Sequence, residues 1–383
     1  MTKTTYWLLA GMQFLLYLAW SIWMVSTATY LLNSLQFNGT QVGLIYGAPA
    51  LAALVSPFLF GVLADRYISS DRLIAMLQFI SGILLITLSK VDDFVSFYTL
   101  MIIQSFVFAP ALSLGTAIIF HHAVDRERDF PRIRLWGTIG FIAGSAVVSL
   151  LEWEDTANAL YYGGLSSILM AAYCLLLPHT PPAPRKTNTT SKRMSAQAWK
   201  VFLLNRTFII FIICVTLIRI PASFYYTFVN PFLVEIGMQQ PTLKMATGQV
   251  VEIVVMLSVP FMLRQFGIKV VMLLGFLGWG ARYIGLAYGS LEESAYLLYF
   301  ALAAHGFCYC YASISAHIFI DQSVPAHLRS TAQGFMMFLT MGLGMLIGTT
   351  IAGKVVDMNT FIETGTADVV RNWTAIWQFP AFV

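Results

Sequence analysis

Charge is scarce in this chain. Only 10% of its 383 residues are Asp, Glu, Lys or Arg, while 58% are hydrophobic. A soluble domain carries roughly 25% charged residues, so a soluble globular enzyme and a disordered chain are both excluded. Cysteine is scarce as well. The four cysteines, Cys174, Cys214, Cys308 and Cys310, all lie in apolar runs, and no C-x-x-C pair occurs. That argues against a disulfide framework and a structural zinc site. His121 and His122 are adjacent but lack acidic partners, so no metal site and no cofactor is expected. There is no phosphate-binding loop, no Ser–His–Asp arrangement and no H-E-x-x-H pattern, so ATP-driven transport and hydrolysis drop out and no enzyme is expected. A net charge of +4 could suggest nucleic acid, but the basic residues fall mostly in short loops and read as membrane topology instead. The first apolar run is too long for a cleaved signal peptide.

What the chain has is long apolar runs. A spanning helix needs about 20 predominantly apolar residues. Six runs come first: Tyr6–Leu32, Val42–Ala64, Leu73–Leu88, Val95–Ile119, Ile133–Trp153 and Ala157–Leu177. A polar, Pro-rich and basic stretch, 178–205, follows. Five more runs lie at Phe208–Glu235, Thr242–Leu263, Val270–Tyr288, Ala295–Ile320 and Ala332–Val356, and a twelfth starts at Trp373. The residues from Trp373 onward cover only about 16 Å of helix, so a truncated twelfth span is expected.

The reading is an all-α membrane protein with an N-terminal half (1–177), a cytoplasmic linker (178–205) and a C-terminal half (206–383). With the N-terminus placed in the cytoplasm, fifteen Lys and Arg fall on the cytoplasmic side and four opposite, which favours that orientation. Two six-helix halves joined by a linker resemble the major facilitator architecture, with the bilayer as partner and a monomer as the expected state.

The loop after the second run reads GVLADRYISSDR. It resembles the superfamily's loop motif, with Gly61, Asp65, Arg66 and Arg72 as a conformational switch. Gly61 would permit close helix approach, and Asp65 would pair with a basic residue or helix end in one conformation. A plain turn carrying topology charges is the alternative.

Ionisable residues inside spans are costly and suggest function by default. Glu252 is the one carboxylate near the middle of a span, with Gln249 one turn earlier on the same face. The pair could bond a hydroxylated solute, and Glu252 could take up a proton; a permanent Arg–Glu pair is the bland alternative. Arg134, Thr138 and Phe141 form a stripe on the fifth run, where Arg134 could also be a snorkelling anchor. Arg219, just before Pro221, either neutralises Glu252 or lines a cavity. Arg282 reads as structural. His305 and Tyr309 share a face of the tenth run and could relay a proton or stack on a ring, or His305 could simply bond a backbone carbonyl. Gln13, Tyr17 and Trp20 line one face of the first run, either as pore or as packing. Asn38, Asn188 and Asn205 open glycosylation patterns, the last two on the cytoplasmic side.

Several stretches, in order, resemble one branch of that superfamily, the bacterial nucleoside/proton symporters. They are DFPRIRLWGTIGFI at 129–142, LPH at 177–179, FGIKVVM at 266–272, AYG at 287–289, SVPAHLRSTAQGFM at 323–336 and GKVVDM at 353–358. The resemblance implies a nucleoside/proton importer of the bacterial inner membrane that works by alternating access. It implies nucleoside contacts at Arg134, Thr138, Phe141, Gln249 and Glu252, and an alternating Arg134–Glu252 ion pair that couples the proton. The family's seventh-span amides stand as Ser223 and Tyr226 here. Its tenth-span tyrosine, phenylalanine and aspartate stand as His305, Tyr309 and Cys310, which leaves Glu252 as the main coupling carboxylate. A symporter for a sugar or other polar solute, and a non-transporting sensor on the same scaffold, remain open as alternatives.

Overall fold

The computed structural model describes residues 1–182, 206–324, 328–362 and 369–382. Most of the expected linker lies outside the described residues, and so do Asn188 and Asn205.

Ten helices cover the first nine apolar runs. They are α1 (Lys3–Met24), α2 (Gly39–Arg66), α3 (Ser70–Leu88), α4 (Phe94–His122), α5 (Arg126–Leu150), α6 (Asn158–Cys174), α7 (Arg206–Leu217), α8 (Arg219–Glu235), α9 (Pro241–Met245) and α10 (Thr247–Tyr288). Then come α11 (Ala295–Cys308), α12 (Ser315–Ser323), α13 (Arg329–Met337), α14 (Met345–Met358) and α15 (Trp373–Phe382). Wide π turns sit at Tyr30–Ser34, Tyr309–Ile314 and Phe338–Gly344. Such turns insert a residue and often mark functional sites.

By length and composition, nine helices among the described residues could cross a membrane. One of them, Pro241–Tyr288, contains the eighth and ninth expected runs, joined where Gly267 turns the backbone at φ 73°. The sixth run is represented by α6, which at 17 residues is one short of the shortest of those nine.

Local chemistry sets the ends. Asn38 and Gln41 form a reciprocal capping box at the start of α2, satisfying two otherwise orphaned backbone donors. Asp93 accepts the Ser96 N–H at 2.8 Å and opens α4. That bond holds the Asp93 carboxyl below the usual carboxylate range. Asp125 accepts the Arg128 N–H, so α5 begins at Arg126, ahead of the expected start near Ile133. Pro131 therefore stands inside the first turns of α5 rather than opening it. The seventh run breaks between α7 and α8 just ahead of Pro221, whose carbonyl accepts the Tyr283 hydroxyl at 2.5 Å. A short hairpin, β1 (Thr360–Ile362) against β2 (Val369–Arg371), was not expected from the sequence. Beyond it, α15 packs Trp377, fully buried, against Tyr283.

The chain clusters into two compact units. The first holds Met1–Arg185 and also Asn230–Ala246; the second holds Lys186–Val229 and Thr247–Val383. The end of α8 and all of α9 thus pack with the first six helices. Asn230 carries that attachment. Its Oδ1 accepts from Thr29 Oγ1 at 2.6 Å, and its Nδ2 donates to Thr242 Oγ1 at 2.9 Å, with all three residues buried. Ser149 Oγ accepts the Leu243 N–H at 2.9 Å as well. With no water to compete inside an apolar bundle, polar groups of this kind must be paired within the protein.

Candidate functional site

In the first unit, α1 and α5 touch through backbone. A side chain at Gly140 would run into the Phe14 carbonyl. This closeness brings two sequence stripes together. The Arg134 guanidinium lies over the Tyr17 ring at 4.3 Å, a cation–π contact that leaves it half-buried. Trp20 stands 5.6 Å from Tyr17 and meets Phe141 edge-on at 6.2 Å. Thr138, one turn beyond Arg134, is half-buried as well. Gln13 does not join this group. It is buried, with its amide nitrogen against Gly115 of α4.

The loop motif is placed differently from its expected logic. Gly61 faces open space rather than a neighbouring helix. Asp65, Arg66 and Arg72 are exposed, and Asp65 forms no ion pair among the described residues. The buried acid of this loop is Asp71, which sequence reasoning passed over. It accepts the Thr180 N–H at 2.9 Å and lies 3.5 Å from His179 Nδ1, while the Ser70 N–H donates to the Thr180 carbonyl. Asp71 in the first turn of α3 therefore ties down the chain that leaves α6. The available signal was an acidic residue in a helix's first turn after a serine pair.

In the second unit, α10 and α11 also meet through backbone. A side chain at Gly306 would collide with the Glu252 backbone nitrogen, and one at Gly248 with His305 Cβ at 2.8 Å. Glu252 and Gln249 are half-buried there, and the Cys310 thiol approaches the Glu252 carbonyl at 3.4 Å. The position of the family's aspartate thus abuts the helix that carries Glu252.

An aromatic cluster surrounds His305. Tyr225 stacks on it at 5.2 Å, Tyr226 meets it edge-on at 5.7 Å, and Tyr309 lies at 6.3 Å. Arg282, fully buried, sits 3.6 Å from the Tyr225 ring centre and 4.8 Å from that of Trp279. Its Nη1 is 3.1 Å from His305 Nδ1. The bland reading of His305, a bond to a backbone carbonyl, gives way to this side-chain bond. Tyr225, the ring between the two, escaped the sequence because one aromatic in an apolar run carries no signal.

Arg219 lines a small cavity with Ser313, His317 and Thr340 and donates to Ser313 Oγ at 3.3 Å. Ser223 is fully buried, and its hydroxyl donates to the Arg219 carbonyl at 2.7 Å. Tyr226 is half-buried and belongs to the His305 cluster.

Comparison with known proteins supplies the family. The family described as "Nucleoside H+ symporter" matches residues 3–383. The xanthosine permease of Escherichia coli (strain K12) is 30% identical, over 96% of this chain and 90% of that protein. The nucleoside permease NupG of the same organism is 30% identical, over 96% and 90%. The crystal structure of the nucleoside transporter NupG superimposes with a TM-score of 0.88 at 29% identity, covering 99% of this chain and 96% of that one.

Proposed function

We propose a mechanism from the premise that this chain belongs to the nucleoside H+ symporter family. It has the major facilitator fold and is a proton-coupled nucleoside transporter. In our reading it imports nucleoside by alternating access, as a monomer in the bacterial inner membrane with its N-terminus in the cytoplasm.

The residues we assign to nucleoside are Arg134, Thr138, Phe141, Gln249, Glu252, His305 and Tyr309. The rings at Phe141 and Tyr309 offer flat faces to a base, and amide, carboxylate and guanidinium bond the ribose and base edges. Of the other residues expected at the nucleoside, Tyr226 packs edge-on against His305, Gln13 lies against Gly115, and Ser223 bonds the Arg219 carbonyl.

The observation that carries the reading is Glu252. It is a carboxylate between Pro241 and the turn at Gly267, inside an apolar span and pressed against the helix that bears His305. A proton arriving at Glu252 removes its charge and any ion pair that charge sustains. An arginine released in this way turns to the hydroxyls of the nucleoside. Loss of the proton inside restores the charge and ends the cycle. Asp65, with Gly61, Arg66 and Arg72, is our candidate switch in another state of the cycle, since in this one Gly61 meets open space and Asp65 has no ion pair among the described residues.

The test is accumulation of radiolabelled nucleoside in proteoliposomes under an imposed proton gradient. Wild-type protein should concentrate nucleoside. Glu252→Gln should lose concentration at least about tenfold while retaining exchange, because Gln keeps its hydrogen bonds. Full gradient-driven uptake by Glu252→Gln would refute the coupling role. Accumulation of sugars in place of nucleosides would refute the substrate.

A further inference from the structure

Arg282 is a cation held by rings and a histidine. Its Nε and Nη2 are buried without a hydrogen-bond partner among the described residues, its Nη1 is 3.1 Å from His305 Nδ1, and its guanidinium faces Tyr225 and Trp279. A guanidinium only donates, so the nitrogen it reaches must accept. In a neutral imidazole one nitrogen accepts and the other carries the hydrogen, so the His305 proton sits on Nε2. A doubly protonated His305 would have no lone pair for Arg282 and would set a second positive charge 3.1 Å from the first.

The surroundings offer little relief from that repulsion. Tyr225 and Tyr226 face His305 from α8; Trp279, Arg282 and Tyr283 stand on the second part of α10; Glu252 stands on its first part; Cys308 and Tyr309 share the His305 strand of chain. Phenols and thiols are neutral at operating pH, which leaves Arg282 and Glu252 as the charged groups. Of these two, Arg282 makes the hydrogen bond to the imidazole.

We propose that Arg282 is a positioning residue that fixes His305 as a neutral Nε2–H donor to the nucleoside and keeps this histidine out of proton uptake. This rests on the reading of His305 as a nucleoside contact. The donor selects an acceptor on the ligand, a base carbonyl or an unprotonated ring nitrogen. Coupling is left to Glu252, and the histidine that stands where the family has a tyrosine keeps the tyrosine's ability to donate.

The experiment is a nitrogen NMR spectrum of full-length protein labelled at histidine, with the His305 signals assigned by their loss in His305→Gln. We expect His305 to stay neutral with hydrogen on Nε2 from about pH 5 to 8, across the range in which an ordinary histidine titrates. Hydrogen on Nδ1, or titration of the wild-type ring in that range, would overturn the proposal. Arg282→Gln should let His305 titrate there and make nucleoside affinity depend on pH in a way that the added His305→Gln change removes. If Arg282→Gln does not fold, the wild-type spectrum decides alone. Gln places its amide nitrogen near Nε2 and Asn near Nδ1, so His305→Gln should bind nucleoside at least tenfold more tightly than His305→Asn; equal affinities would also overturn the proposal. Failure of wild-type protein to bind any nucleoside would instead refute the transport reading, with the tautomer still read from the spectrum.

Discussion

Each unit holds an arginine over a tyrosine, and the two are built for different ends. Arg134 lies 4.3 Å from Tyr17 and is half-buried, with Thr138 and Phe141 on the same stripe. Arg282 lies 3.6 Å from Tyr225, is fully buried, and shares its charge with Trp279 and His305. A single ring at a half-exposed site contributes roughly 0.5–1 kcal/mol, an amount a ligand can displace. Two rings and a hydrogen bond in a closed core hold a cation for good. In the proposed cycle the first arginine exchanges partners, while the second holds its neighbour in place.

Variants at the two positions sharpen this contrast. The largest effect should come from Arg134→Ala, which we expect to bring nucleoside uptake to background while the melting temperature hardly changes. Uptake and thermal unfolding measured on the same purified sample check both halves of that statement, and a large drop in melting temperature would make Arg134 a second structural arginine. Arg282→Ala should do the reverse, lowering stability by about 2–4 kcal/mol, as large-to-small changes in packed cores do. Unfolding in detergent monitored by tryptophan fluorescence reads this, and an unaltered midpoint would erase the distinction between the two sites.

Away from the arginines the effects shrink. Asn230→Ala should cost about 1–3 kcal/mol, because Thr29 and Thr242 are left buried without their shared partner. Faster proteolysis of the 230–246 segment is the accompanying sign. The smallest effect belongs to Asp93→Ala. The Asp93 carboxyl is held below its usual range in the folded protein, so its contribution is present above the unfolded value and fades as pH falls through the folded one. The melting-temperature gap between wild type and Asp93→Ala should therefore be small at neutral pH and close on acidification. A gap that widens in acid would give the cap the wrong sign.

The spans were legible because apolar runs of this length have few other uses, and the caps refined their ends. The start of α5 was misplaced by hydropathy, which ignores charged residues that Asp125 can still draw into a helix. The pairing of β1 with β2 escaped because three-residue strands leave no periodic trace. Charge in an apolar run singled out Glu252, Arg134, Arg219 and Arg282 alike. Their partners did not show, since Tyr17 and Tyr225 are ordinary aromatics until a fold lays a guanidinium on them. Asp71 was passed over for another reason: its place in a helix's first turn was legible, but its partners Thr180 and His179 lie far along the chain.

The missing side chain at Gly306 has a mechanical consequence. Ordinary helix contacts are cushioned by rotamers that can give, but here the main chain of one helix bears on the main chain of the other beside Glu252. Packed interiors transmit strain rather than absorb it, and a joint without a cushion transmits it best. The carboxylate and the imidazole should then travel as one stiff body, so a distance reporter fixed to either helix near this joint follows both. Thickening the joint with a single methyl would separate their motions before it altered either group's chemistry.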